Sequence, residues 1–286
     1  MEKIGLVLEG GGMRGAYTAG VLHWLLENEL HFDYVVGISS GALYAGMYVL
    51  DKGESLESAA INVAADKRNV GWAPIKDEHT IVGYDFLYRE VTENLDYPLE
   101  TIDQIKGDIE IGVYDIKAEK TVWKNKQEIA ENPEYIKAAC TLPIVGRPVK
   151  IEGRDYMDGG ITTMIPVSRS IEAGCVKHMV VTTKSKEYVR KPQGFFTSTL
   201  LKCVYRKYPK LVKDFSNRVN VYYEERKLID ELVAEEKALY MYPTKELGIG
   251  RFKGSKEQFS ELFDIAHQDC ELRKDEIIAF YQSVKG

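Results

Sequence analysis

The run Tyr34-Val35-Val36-Gly37-Ile38-Ser39-Ser40-Gly41-Ala42-Leu43 constrains this chain more than any other stretch. A short apolar segment that reads as a strand meets a glycine, two serines and a second glycine, and an apolar, helix-compatible run follows at once. G-x-S-x-G in that setting is the pattern of a nucleophile elbow, a tight strand-to-helix turn that lifts one serine hydroxyl clear of the backbone. The spacing makes Ser39 the exposed serine and leaves Ser40 to open the helix. Gly37 and Gly41 then have a steric reason: with the central residue strained, a side chain two positions either side would strike the neighbouring strand or helix. The same pentapeptide also makes ordinary turns, so the rest of the chain must decide.

A second glycine motif precedes it. Ile4 to Leu8 reads as a buried strand, Gly10-Gly11-Gly12-Met13-Arg14-Gly15 follows, and Ala16 to Leu26 has apolar residues at helical spacing. Gly10-x-Gly12-x-x-Gly15 also fits a dinucleotide-binding fingerprint, which would make the chain an oxidoreductase. That reading needs a carboxylate at the end of the second strand to hold a ribose. Asp33 stands at the beginning of that strand, the wrong end. Consecutive glycines before a helix leave backbone N–H groups approachable, and the helix dipole favours negative charge there. In a parallel sheet both loops leave the carboxyl ends of early strands on one side. Free N–H groups beside a serine elbow suit the oxyanion of acyl transfer.

Further along, strands and helices alternate, and the strands are apolar enough to be buried on both faces. The expected fold is α/β, three-layer α/β/α with a largely parallel central sheet. One domain over residues 1–286 is the economical reading, with a core over about 4–183 and a helical, basic part over about 184–286. Ser55 has the spacing of a helix-capping residue, and the irregular stretch from Asn69 to Tyr97 is a candidate rim or lid. Net charge is −6, which argues against a nucleic-acid binder. Between Lys184 and Asn220, however, ten Lys or Arg face only Glu187 and Asp214, a local +8 that leaves −14 elsewhere. With Phe195-Phe196, Tyr205 and Tyr208, that segment is a candidate for reversible contact with an anionic membrane surface. No run approaches the roughly 20 apolar residues of a membrane span, the N-terminus does not read as a secretory signal, and Cys140, Cys175, Cys203 and Cys270 read as free thiols. A cytoplasmic protein, peripheral at most to the inner face of the membrane, is expected. No calcium-loop or zinc-type spacing occurs, so no metal or organic cofactor is expected.

A nucleophilic serine needs a proton acceptor. His23 lies in an amphipathic helix, His178 enters an apolar strand, His31 sits in the turn after the first helix, His79 in an irregular charged loop, and His267 in the C-terminal helix. None has the small-residue surroundings that expose a catalytic group. Asp158 does: it precedes Gly159-Gly160, although an Asp-Gly surface turn would look the same. An aspartate acting directly would need a dry or hydrogen-bond-tuned site, because its ordinary pKa is about 3.9.

Gly10-Gly11-Gly12-Met13-Arg14-Gly15, Gly37-Ile38-Ser39-Ser40-Gly41 and Asp158-Gly159-Gly160, in that order, resemble the patatin-like phospholipase family, in particular its bacterial members. Ala139-Cys140-Thr141-Leu142-Pro143 is similar to the family's A-S-x-x-P segment with cysteine in place of serine, and Glu9 stands where many members have aspartate. The resemblance implies lipid acyl hydrolysis by a Ser–Asp dyad without a required histidine. Ser39 would be the nucleophile, Asp158 the base, Gly10, Gly11 and Gly12 the oxyanion donors, and Arg14 a support for the loop. A lipid ester is the implied substrate, and an idle lipid-binding protein on the same fold is the alternative. Chain length, headgroup and oligomeric state are not implied.

Overall fold

The computed structural model describes residues 2–191 and 194–285, apart from the side chain of Phe195. Two strand–helix units come first: β1 (Lys3–Leu8), α1 (Ala16–Glu27), β2 (Tyr34–Gly37) and α2 (Ser40–Val49). Short helices follow, α3 (Gly53–Ser58), α4 (Trp72–Asp77) and α5 (Tyr84–Arg89). Next are β3 (Asp108–Asp115), β4 (Lys120–Asn125), α6 (Lys126–Glu131), α7 (Glu134–Cys140), β5 (Val149–Ile151) and β6 (Arg154–Asp158). The chain continues through α8 (Val167–Glu172), β7 (Cys175–Val181), α9 (Phe195–Val204), α10 (Pro209–Ala234), β8 (Ala238–Met241), α11 (Lys256–Leu272) and α12 (Lys274–Lys285).

These strands form one sheet in the order β5-β6-β3-β2-β1-β7-β8, with β4 also paired to β3. From β3 through β8 the pairs are parallel, while β4, β5 and β6 join antiparallel. The period of two in β1 sorts its side chains between two layers. Ile4, Leu6 and Leu8 pack with residues of α1, α2 and α11, whereas Val7 packs with Val36, Val180 and residues of α8 and α10. The result is the expected three-layer α/β/α fold. Residues beyond 183 belong to its frame. β8 extends the sheet beside β7, and α11 lies so close to α1 that a Cβ at Gly20 would come within 2.5 Å of the Phe263 carbonyl oxygen.

The site is set by the way β3 is shared. Its one edge binds β4 from Glu110 to Asp115. Its other edge binds β2 parallel over Asp108 to Ile111 and β6 antiparallel over Val113 to Asp115. β2 and β6 therefore run toward each other along a single edge, and their carboxyl ends meet across Gly112. Gly37 pairs with Ile111 and Asp158 with Val113. Space there is short: a Cβ on Gly112 would lie 2.3 Å from Ile38 Cδ1.

Two expectations change. Ser55 does not cap a helix; it is buried and its hydroxyl donates to the Asp96 carbonyl at 3.0 Å. The basic segment is not all surface. Tyr205 is buried and donates to Met157 Sδ at 3.4 Å, because α9 and the start of α10 cover an apolar cluster around Tyr114 and Met157. Arg190 is buried against Glu9 at 3.4 Å, whereas Phe196 is 78% exposed; the side chain of Phe195 lies outside the described residues. Among the described residues no helix is long and apolar enough to cross a membrane.

Candidate active site

At the end of β2 the backbone turns through Ser39 with φ 57° and ψ −127°, a region that a residue with a side chain enters at a cost of about 1–3 kcal/mol. Packing holds it there. A Cβ at Gly37 would lie 2.4 Å from the Gly41 carbonyl oxygen, and one at Gly41 would lie 2.7 Å from that of Leu8. Both glycines are thus required by close approach. α2 begins at Ser40, and Cys140 Sγ, at the end of α7, donates to the Ser39 carbonyl at 3.4 Å.

The glycine loop lies against this turn, but its donors are not equivalent. Gly10 N–H donates to the Met164 carbonyl at 3.2 Å and Met13 N–H to that of Arg251 at 3.0 Å. Gly11 N–H donates to Ser40 Oγ at 3.0 Å. Of the three glycines expected to offer N–H groups, Gly10 and Gly11 are already engaged, because the loop is pinned to its neighbours through them. Gly12 N–H has no acceptor among the described residues, and neither has Ser40 N–H at the start of α2. Gly12 has φ +60°, and a Cβ there would lie 2.5 Å from the Arg251 carbonyl oxygen, so only glycine fits. A Cβ at Gly15 would lie 2.8 Å from Ser40 Oγ. Arg14 is buried behind the loop, its pKa drawn down by burial against the opposing pull of Glu9. Glu9 is fully buried and accepts from Thr183 N–H at 2.6 Å and Thr183 Oγ at 3.0 Å.

Asp158 ends β6, 1% exposed. Its N–H donates to the Thr141 carbonyl at 2.9 Å, and its Oδ1 accepts from Gly160 N–H at 2.7 Å. A Cβ at Gly159 would lie 2.6 Å from the Gly112 carbonyl oxygen, so the second glycine pair also answers to sterics. Burial raises the carboxyl from 3.8 to about 6; the Gly160 N–H, the Ser39 hydroxyl, Arg251 and Arg218 pull it back down, in that order. Ser39 thus lies within hydrogen-bonding influence of the carboxyl, while Oδ2 has no well-formed partner. The two groups line the same cavity, and no hydrogen bond between them meets ordinary geometry among the described residues.

Ser39 stands where two cavities meet. The first is walled mainly by apolar groups, among them Leu43, Ala64, Val70, Val82, Leu87 and Phe252. Val70, Val82 and Leu87 come from the irregular 69–97 stretch, which does form a rim. The second is smaller and carries more charged groups, with Ser39, Asp158, Arg218 and Arg251 beside the apolar Ile38, Leu142 and Met164. No histidine lines either cavity. His178 is bonded to Ser170 at 2.8 Å and lowered to about 4 by burial. His23, Glu27 and His267 stand together away from both cavities' linings, the one cluster of metal-ligating side chains among the described residues. Asp33 accepts from Ile4 N–H at 3.0 Å at the start of β2, so the elbow end of that strand offers no carboxylate to a dinucleotide ribose.

Three contributors escaped the sequence. Ser40 both pins Gly11 and presents a free N–H. Arg218 and Arg251 reach the second cavity from α10 and the loop before α11; Arg218 lies in the basic segment and Arg251 directly follows Gly248-Ile249-Gly250, but neither context by itself points to Ser39. Only the sheet and the return of the chain bring them there.

A family model described as patatin-like phospholipase matches residues 6–170, and one described as a domain of unknown function (DUF6363) matches residues 208–282. The chain is similar to the uncharacterized protein YjjU of Escherichia coli (strain K12), 23% identical over 198 residues, covering 68% of this chain and 55% of the relative. It is similar also to lysophospholipase NTE1 of Kluyveromyces lactis, 26% identical over 182 residues, covering 61% of this chain and 12% of the relative. The matched part thus spans about half of the first relative and a small fraction of the second. Among solved structures, VipD from Legionella pneumophila aligns with a TM-score of 0.44 at 12% identity, covering 94% of this chain and 67% of that one. The family model spans more than half of the residues and includes both the glycine loop and the Ser39–Asp158 pair: the chain belongs to the patatin-like phospholipase family.

Proposed function

We propose that the protein is a lipid acyl hydrolase that uses Ser39 as nucleophile and Asp158 as general base. The observation that carries the reading is the head-to-head meeting of β2 and β6, with a strained serine and a buried carboxyl in one cavity. Ser39 Oγ attacks the ester carbonyl as Asp158 takes its proton. The carbonyl oxygen becomes an oxyanion held by Gly12 N–H and Ser40 N–H, each such donor worth on the order of 10²–10³ in rate. Asp158 returns the proton to the leaving alcohol, leaving an acyl-enzyme. Water, deprotonated by Asp158, then releases the fatty acid and restores the serine. The apolar cleft takes the acyl chain, and the chemistry uses no metal or cofactor. Residues 184–220, with Phe196 exposed, bring the cleft to a lipid surface from the cytoplasmic side. Hydrolysis of p-nitrophenyl butyrate tests the reading. It should fall by about 10⁴-fold in Ser39→Ala and in Asp158→Asn, both checked for folding by circular dichroism; undiminished hydrolysis in either variant would overturn the assignment.

A further inference from the structure

His23 and Glu27 stand one turn apart on α1, a spacing that puts both side chains on one stripe of the helix. His267 of α11 joins them, outside the cavities of Ser39. The two helices touch here without room to spare: a Cβ on Gly20 would come within 2.5 Å of the Phe263 carbonyl oxygen and 2.7 Å of Ala266 Cβ. That contact, one turn before each histidine, fixes how the rings meet, with centroids 5.1 Å apart. Phe263 packs against both, its centroid 5.5 Å from that of His23 and 5.2 Å from that of His267. The Glu27 carboxylate lies between the rings, Oε1 3.7 Å from His23 Nδ1 and Oε2 3.6 Å from His267 Nδ1. Both separations are too long for hydrogen bonds. His23 Nδ1 and His267 Nε2 are buried with no hydrogen-bond partner among the described residues. Ring nitrogens taken out of water without a partner are costly, so a component of this cluster is missing.

We propose that His23, Glu27 and His267 bind one divalent transition-metal ion of the zinc class, which clips α11 to α1. Two ligands about 2.0–2.2 Å from a tetrahedral ion stand about 3.4 Å apart, close to both nitrogen–oxygen separations here. The three ligand atoms all lie within 4.8 Å of one another, a spread that side-chain rotation closes, since Glu27 is half exposed. Two imidazoles and a carboxylate suit zinc and its neighbours, whereas Mg²⁺ and Ca²⁺ call for shells of oxygen. Glu57 and Asp264 lie near enough to act on the charge of His267 and add to the negative potential around the site. Three protein ligands leave a fourth position for water, so the ion is exchangeable. His267 joins from the far end of the chain, and no sequence spacing announces the set. α1 lies within residues 6–170 and α11 within 208–282, so the ion ties the catalytic core to the C-terminal part. It takes no part in the chemistry at Ser39, and the proposal is independent of the acyl-transfer reading.

Metal titration of the full chain, free of any affinity tag and stripped with a chelator, tests this. Zn²⁺, Mg²⁺ and Ca²⁺ are titrated calorimetrically, and Co²⁺ is followed by its visible absorption. Wild type should take up one Zn²⁺ per chain, show a Co²⁺ band that Zn²⁺ removes, and bind neither Mg²⁺ nor Ca²⁺ at the same concentrations. His23→Gln and His267→Gln should each weaken Zn²⁺ by about a hundredfold or more, and Glu27→Gln by about tenfold or more, since even an outer-shell partner is worth about 10–100-fold. Zn²⁺ at about a hundred times its Kd should raise the wild-type Tm by about 5 °C and leave that of His267→Gln unmoved. Glu27→Gln keeps the shape of a half-exposed side chain, so it decides the matter should a histidine variant fail to fold. No saturable Zn²⁺ uptake, or uptake equally tight in wild type and in the substituted proteins, would overturn the site. Binding that leaves the wild-type Tm unchanged would overturn the clip. Ser39→Ala should bind Zn²⁺ as wild type does, so inactivity on every ester would sink the hydrolase reading without touching this one.

Discussion

Asp158 shows the conflict between stability and chemistry in one side chain. Its carboxyl stands at about 6 in the folded protein against an ordinary 3.8, so the native state binds this proton more tightly than the unfolded chain. The associated stabilisation is complete below about 3.8 and is lost as pH rises through about 6, leaving the ionised form destabilising by at most about 3 kcal/mol above that. Asp158→Asn should therefore be more stable than wild type by about 1–3 kcal/mol in urea unfolding at pH 8, with the gap narrowing toward pH 5. An asparagine variant less stable at pH 8 would contradict the desolvation argument. The wild-type kcat/KM should fall on the acid side through an apparent pKa near about 6, as expected of a base that must be ionised. At this scale the catalytic candidates were legible because their marks are local: glycines around Ser39 and Asp158 record steric limits in the sequence itself. The division of labour in the glycine loop was not legible. Gly10, Gly11 and Gly12 look alike in sequence, and only contacts with Met164 and Ser40 engage the first two.

At the scale of elements, the alternating apolar strands and helices made the layered fold readable, since both periodicities follow from backbone geometry. The meeting of β2 and β6 did not follow from either segment alone, because it depends on β4 taking the other edge of β3. Helix starts were misread for a related reason. The working capping boxes are Asn125 with Glu128 and Ser255 with Gln258, while Ser55 is drawn inward to Asp96. The region from α9 into α10 is divided between two roles. Tyr205 and Arg218 turn toward the interior, but Phe196, Lys202, Arg206, Lys207 and Lys213 are exposed. Those outward groups can meet an anionic bilayer, each cation contributing about 1 kcal/mol near the surface. Co-sedimentation with phosphatidylserine-containing vesicles should be strong at low salt, weaken in high salt, and weaken further in Phe196→Asp. Binding indifferent to both salt and anionic lipid would count against this face as the docking surface.

For the whole molecule, the uneven charge has a structural meaning that a net value of −6 conceals. Part of the basic segment lies outside, and part is folded inward, Arg190 against Glu9 and Arg218 onto the wall of the cavity that holds Ser39. The C-terminal residues supply a sheet strand, helices to both layers and two cations in the cavity of Ser39, so core and C-terminal part meet in one cavity. Glu225 of α10 illustrates the coupling: it accepts from Ile165 N–H at 2.9 Å beside Met164, whose carbonyl in turn holds Gly10. The central claim is that this assembly activates Ser39. Labelling with an alkyl fluorophosphonate, followed by peptide mapping by mass spectrometry, tests it most directly. The wild-type protein should carry one adduct, on Ser39, with none on Ser39→Ala and a labelling rate sharply reduced in Asp158→Asn. An unlabelled wild-type protein, or equal labelling of Ser39→Ala, would contradict the account.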